Sequence, residues 1–157
     1  MSRAAALLLL AAGTGCGYSV AAGTGRMPAG AERVYVAPFA NRTTDPEAGA
    51  QVAAALREEL ARRGSGGTAD AAARIEGTVT QVAFLPTTPD GGTWRLTLEI
   101  QARLLVDGKP VADQSVRREQ DYLAEVDALA TEGRRRLAVR QAAAAAAREI
   151  VDRFEVP

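Results

Sequence analysis

One stretch limits the possible folds more than any other. Between residues 93 and 106, Trp94, Leu96, Leu98, Ile100, Ala102, Leu104 and Val106 alternate with Thr93, Arg95, Thr97, Glu99, Gln101 and Arg103. Successive strand side chains point to opposite faces, so a period of two held this long specifies a strand with one buried and one wet face. Asp107-Gly108 is a two-residue hairpin signature leading into a more polar run, Lys109 to about Asp121, which belongs at a sheet edge. On the other side, Pro86 to Gly92 is a turn. Before it, Ala73 to Phe84 reads as a strand in which Ile75, Gly77 and Val79 alternate with Glu76, Thr78 and Thr80.

Such a meander needs apolar cover on one face, and two helical segments offer it. Asp45-Pro46-Glu47 has the order of an N-cap, a first-turn proline and an early acid. Val52, Leu56 and Leu60 follow at four-residue spacing, with Ala48 and Ala55 beside them and Gly64 at the C′ position. Glu58 with Arg62 and Glu59 with Arg63 are i,i+4 pairs expected on the solvated face. The last helix should run from Asp127 or Thr131 to Phe154, through Ala142 to Ala147, with Val139, Ala143, Ala146, Ile150 and Phe154 as its buried stripe. A first strand, Arg33 to Phe39, is ended or placed at an edge by Pro38. The expected architecture is a single α+β domain of order β-α-β-β-β-α. Its four-stranded mixed sheet has the first two strands parallel, two helices on one face, and a polar, open second face.

The N-terminus has a different character. Met1 to Gly15 comprises Arg3, an apolar run from Ala4 to Ala12 and the small residues Gly13-Thr14-Gly15, which is the order of a secretory signal. The run is too short for a membrane span, which takes about 20 residues. The only cysteine, Cys16, follows directly, as in the bacterial lipobox, although Gly13 stands where leucine is usual. Cleavage there predicts a diacylglycerol on the Cys16 thiol and an acyl chain on its amino group, together sufficient for stable anchoring. Residues 16–32 are Gly-, Ala- and Pro-rich and read as a tether, with residues 33–157 as the domain. Gly17 replaces the aspartate that retains lipoproteins at the enterobacterial inner membrane, so the expected location is the outer one.

Charge and composition narrow the function. The 19 basic and 19 acidic residues balance, which removes the driving force for tracking nucleic acid. With no histidine, the commonest general base and metal ligand is absent, and no serine or threonine has its usual partner. No enzyme, cofactor or metal is therefore expected. Of the basic residues, 18 are arginine. Arg134, Arg135, Arg136 and Arg140 crowd the start of the last helix, against its dipole, where an anion would favour them. An exposed basic face offset by Glu132 and Asp127 is the competing reading. Arg95 and Arg103, on the wet strand face, are candidates to join the surface, and only one of Arg117 and Arg118 can do so.

Several motifs occur in a telling order. Cys16-Gly17-Tyr18 is followed by Val36-Ala37-Pro38-Phe39-Ala40-Asn41-Arg42-Thr43, and a helix ends at Leu60-Ala61-Arg62-Arg63-Gly64. Ala69-Asp70, Ile75-Glu76-Gly77-Thr78-Val79 and the terminal Ile150-Val151-Asp152-Arg153-Phe154 complete the set. Together they resemble the LptE lipopolysaccharide-assembly lipoproteins. The resemblance implies a non-enzymatic outer-membrane lipoprotein that lies against or inside the β-barrel LptD, supports its assembly and assists lipopolysaccharide delivery to the outer leaflet. It implies lipopolysaccharide contacts by basic residues, here Arg134, Arg136 and Arg140 on the last helix and Arg95 on the sheet. The turn Pro86 to Gly92 lacks the basic residue the family can place there. An alternative is a periplasmic lipoprotein that activates a peptidoglycan synthase, for which residues 18–32 form a short linker.

Overall fold

The computed structural model describes residues 25–156, so the signal region and Cys16 lie outside it. The elements are β1 (Val34–Val36), β2 (Ala40–Asn41), α1 (Ala48–Arg62), β3 (Ala73–Pro86), β4 (Thr93–Val106), β5 (Lys109–Leu123) and α2 (Ala128–Phe154). The strands form one sheet of order β1-β3-β4-β5, with β2 also on β3. β1 and β2 run parallel to β3, and β3, β4 and β5 form the antiparallel meander.

The expected first strand is split, giving a fifth, two-residue strand. Ala37 N donates to Ile75 O at 2.9 Å and Arg42 N to Val79 O at 3.0 Å. Between these bonds, at Pro38 and Phe39, pairing lapses, and it resumes at Ala40 opposite Thr78. In the gap Phe39 leaves the edge and is buried.

The period-two pattern of β4 is realised with one departure: Leu96, Leu98, Ile100 and Leu104 are fully buried and Arg95 and Arg103 exposed, but Thr97, expected on the wet face, is buried. Register sets Ile75, Gly77 and Val79 opposite Leu104, Ala102 and Ile100, and Val116 opposite Ile100 on β5. Over this face lie Val52, Leu56 and Leu60 of α1 and Val139, Ala143, Ala146, Ile150 and Phe154 of α2, in one cluster. Each buried Leu, Ile or Phe contributes about 1.5–3 kcal/mol relative to exposure.

One extra residue interrupts β3. Register against β4 passes from Val79 to Gln81, leaving Thr80 as a bulge, so Val82 and Phe84 continue the inward face at shifted parity. β1, β2 and α1 accompany β3 only up to this point. Beyond it the sheet continues as three strands backed by the first half of α2, where no residue before Ala138 is fully buried.

The boundaries of α1 carry local chemistry. Asp45 accepts a hydrogen bond from Glu47 N at 3.0 Å, and the helix begins at Ala48, slightly later than expected. At its end Gly64 takes a φ of 72°. Gly64 N bonds to Ala61 O and Ser65 N to Leu60 O, both orphan carbonyls of the last turn.

Two expectations fail here. Glu59 and Arg63 are not a solvated pair: Glu59 is 5% exposed, and Arg63 reaches Glu59 at 2.7 Å, Asp152 at 2.7 Å and Glu155 at 2.9 Å, clamping α1 to the end of α2. Arg62 pairs with Glu59 rather than Glu58. The second concerns the tether, whose last part is docked. Arg26 and Val156 exchange backbone hydrogen bonds of 3.0 and 2.9 Å, and Met27 and Ala31 are buried in the core. The packed domain therefore starts before residue 33.

Candidate functional site

α2 presents the arginines on a stiff support. Asp127 caps it by accepting from Leu129 N at 3.0 Å, and Thr131 Oγ1 donates to Glu125 O at 3.1 Å and accepts from Glu125 N at 2.8 Å. The helix is thus fixed to the chain that enters it.

Each arginine then meets a different environment. Arg134 pairs with Glu125. Arg135 turns inward, bonding Glu132 at 2.7 and 3.0 Å, approaching Asp45 at 3.4 Å and lying 4.8 Å above the Phe84 ring. Its cation–π contact and its link to the loop before α1 make it a strut. Arg136 is exposed and donates from Nε to Glu132 Oε1, the oxygen that Arg135 Nη2 also reaches, at 2.8 Å. Arg140, one turn on, is exposed and has no carboxylate within salt-bridge distance among the described residues. Arg136 and Arg140 share a face as expected. The compensating acids are Glu132 and Glu125, with Asp127 occupied as the cap.

Glu132 holds this cluster together. Hydrogen bonds from Arg135, then Arg136, lower its carboxyl to about 2. A depressed carboxylate contributes stability above its unfolded pKa and loses it as pH falls through the folded value. The start of α2 is accordingly expected to loosen between about pH 4.5 and about pH 2, with the rest of the helix retained. Amide exchange at residues 129–136 across that interval checks this, and Glu132→Gln should show the loosened state already at pH 7.

Arg95 lies elsewhere. It is on the open face of the sheet, whereas α2 packs on the other, so the structure does not bring it to the helix arginines. There it forks onto Asp121 at 2.8 and 3.0 Å, which raises the guanidinium pKa and lowers that of Asp121. The neighbouring cations are matched too: Arg103 to Asp113 at 2.6 Å, Arg117 to Glu119 at 2.9 Å and Glu99 at 3.1 Å, and Arg74 to Glu76 at 3.5 Å. Arg118, on the helix face, pairs with Glu149 of α2. The open face thus carries four arginines and five carboxylates already joined to one another. Thr78, Gln101 and Ser115 form a neutral row across it, lining a trough of about 700 Å³.

Beyond the bulge the molecule ends in apolar residues. Leu85, Leu123, Val126 and Leu129 are 55% or more exposed around the β3–β4 turn. Asp90 is the one charge within Pro86 to Gly92. Arg148 is a further exposed cation on α2 that the sequence pattern did not single out; its i+4 carboxylate, Asp152, is held by Arg63. Only that long-range clamp shows Arg148 to have no carboxylate within salt-bridge distance among the described residues.

Among the described residues no acid, histidine or cysteine cluster could hold a metal, and no helix is long and apolar enough to cross a membrane. The architecture is that of a group of bacterial proteins of solved structure that includes lipoproteins. A protein of Caulobacter crescentus CB15, described as a lipoprotein, is 19% identical with a TM-score of 0.61, over 80% of this chain and 89% of that one. PelC of Paraburkholderia phytofirmans, solved as a dodecamer, is 16% identical at 0.59, over 85% and 96%. The rare lipoprotein B of Shewanella oneidensis is 18% identical at 0.50, over 74% and 92%. At these identities the likeness establishes the fold.

No curated protein sequence matches. A family model described as "LptE: Lipopolysaccharide-assembly" does match, over residues 31–154. The chain belongs to the LptE family, which serves lipopolysaccharide assembly without being an enzyme family.

Proposed function

We propose that this protein is an outer-membrane lipoprotein, anchored through acylated Cys16, that partners the LptD barrel, assists its assembly and helps pass lipopolysaccharide to the outer leaflet. Family membership supports the lipopolysaccharide role. The observation that carries the barrel partnership is the open sheet face: polar, concave at its centre and with its charges mutually joined, it suits a barrel interior, which is itself polar. The exposed Leu85, Leu123, Val126 and Leu129 supply an apolar end for protein contact. Purification from membranes with the anchor intact should recover a large outer-membrane barrel. Recovery of a peptidoglycan synthase in its place would overturn the reading.

Within this proposal, lipopolysaccharide phosphates are met by Arg136 and Arg140, with Arg134 beside them. Among the described residues Arg140 has no internal acid to release and Arg136 shares one, whereas Arg95 must give up Asp121. The double charge reversal Arg136→Glu, Arg140→Glu is expected to weaken lipopolysaccharide binding about tenfold or more at low salt, the range of two charge-assisted contacts of about 1 kcal/mol each. Arg95→Ala should change it by less than twofold. Titration with purified lipopolysaccharide, alongside circular dichroism to show both variants folded, decides between this site and a merely solvated basic face.

A further inference from the structure

The two edges of the sheet are finished differently. On β5 the backbone is guarded: Arg153 donates from Nη1 to Ser115 O at 3.0 Å, and Arg117, Arg118, Glu119 and Asp121 supply charge along the rest. Charged side chains on an edge discourage pairing with another strand. The opposite edge has no such protection. Among the described residues no strand pairs with the outer side of β3 beyond Val79, although β3 runs on to Pro86. From residue 77 to residue 89 the sequence carries no charge.

Two backbone positions stand open on this edge. Ile75 and Val79, whose side chains face the core, turn their carbonyls outward to Ala37 N and Arg42 N. For L-residues along one strand, side-chain face and backbone edge go together. Val82 and Phe84 resume the core face after the Thr80 bulge, so each presents its N–H and C=O outward. The helix layer stops at the same level. α1 and α2 end together at the clamp of Arg63 on Asp152 and Glu155, but they have 15 and 27 residues, so the first twelve of α2, roughly 18 Å, have no α1 beside them.

Unpaired donors and acceptors in strand register call for an extended chain, and three sources can be weighed. The protein's own N-terminal segment is too short. Gly25 lies against Glu155, at the far end of α1, and α1 alone spans about 22 Å. With Cys16 as the first residue, nine residues remain, at most about 31 Å when fully extended, and reaching Val82 exhausts them. A second copy, paired edge to edge, would double the width of the surface that has to enter the barrel. The barrel's own chain is left. Strands within a closed wall have both edges paired, so the segment is one that lies outside the wall and folds into the interior. Arg42, exposed where β2 ends and with no carboxylate within salt-bridge distance among the described residues, suits an acidic residue at one end of an otherwise uncharged segment.

We infer that the outer edge of β3, at Val82 and Phe84, takes up an extended segment of the partner barrel as an added strand. This rests on the barrel partnership proposed above. The added strand continues the sheet where β2 leaves off, with up to four backbone hydrogen bonds to Val82 and Phe84, and leaves the polar open face free.

The test compares hydrogen exchange, resolved to single amides, in the full chain alone and in the complex recovered from membranes with the barrel. Slowing of about a hundredfold at Val82 and Phe84 in the complex, with the β5 amides of Arg117 and Glu119 unchanged, is the expected result. Val82→Pro removes one outward donor and no bond within the sheet, so barrel recovery should fall about tenfold while circular dichroism stays that of the parent. Unchanged exchange at both positions, or equal slowing along β5, in a complex that does form overturns strand addition and leaves the barrel partnership standing. Slowing in the free chain that grows with its concentration also overturns it, by giving the edge to a second copy. If no barrel is recovered at all, the partnership itself fails and the added strand falls with it.

Discussion

Arg63→Ala is expected to lower stability by about 3 kcal/mol, the lower end of the range for removing one partner from a buried ion pair. In a chain of this size that corresponds to a fall in Tm of roughly 10 °C. Arg63 is the one cation shared by Glu59, Asp152 and Glu155, and its side chain is 20% exposed. Burial by itself would lower its pKa, but hydrogen bonds to Glu155, Asp152 and Glu59 outweigh this and hold it above the ordinary arginine value. Without it, Glu59 keeps only the half-exposed Arg62 among the described residues, and Glu155 loses the salt bridge to Arg63. Arg63→Lys should recover less than half of the loss, because a point charge cannot divide among three acceptors as a planar fork does. Thermal melts of the two variants measure this; a drop under about 1 kcal/mol for alanine would rank the cluster with ordinary surface pairs.

Gly77→Val should cost about as much, for a steric reason. A Cβ at position 77 would come within 2.5 Å of the Phe39 ring and closer still to the carbonyl of Gln101 on β4. Neither can yield easily. Phe39 is pinned from the other side as well, since a Cβ on Gly49 of α1 would lie 2.7 Å from Phe39 O. Expelling the ring forfeits about 1.5–3 kcal/mol of burial, and overpacking the strand adds about 1–3 kcal/mol, so a total near 3–4 kcal/mol is expected. Gly77→Val with Phe39→Ala should regain part of it by vacating the ring's volume. Urea melts of the single and double variants give the coupling, and strict additivity would show that the ring is not what glycine makes room for.

These two variants also show what a linear pattern can and cannot reveal. The alternation in β4 was legible because each residue reports its own face. The parallel pairing of β1 and the edge position of β5 followed from order and polarity. For Glu59 and Arg63, i,i+4 spacing says which residues are neighbours on α1 and nothing about Asp152 and Glu155, some 90 residues away. Phe39 fits no strand period for a similar reason: the chain leaves the edge between β1 and β2 and turns the ring under Gly77. The Thr80 bulge left only a three-residue interval between Val79 and Val82. At the candidate site the sequence located the arginines but not their partners. Arg134, Arg135, Arg136 and Arg140 look equivalent along the chain, yet one joins Glu125, one braces Phe84 and Asp45, one shares Glu132 and one faces solvent alone. Alternation marks Arg95 as exposed on the wet strand face but is blind to Asp121, its cross-strand neighbour.

The joined charges of the open sheet face have one more consequence. A surface whose guanidinium groups carry their own counter-charges has no cloud of mobile ions to shed when it moves from bulk water into a narrow water-filled space. Its entry is then governed by shape and by waters exchanged between hydroxyls and amides, and varies little with ionic strength beyond the Debye screening of exposed pairs. The start of α2, with Arg140 unmatched, keeps its sensitivity to salt. One molecule thereby has a salt-indifferent face and a salt-responsive end, and the two can be told apart by changing nothing but the buffer.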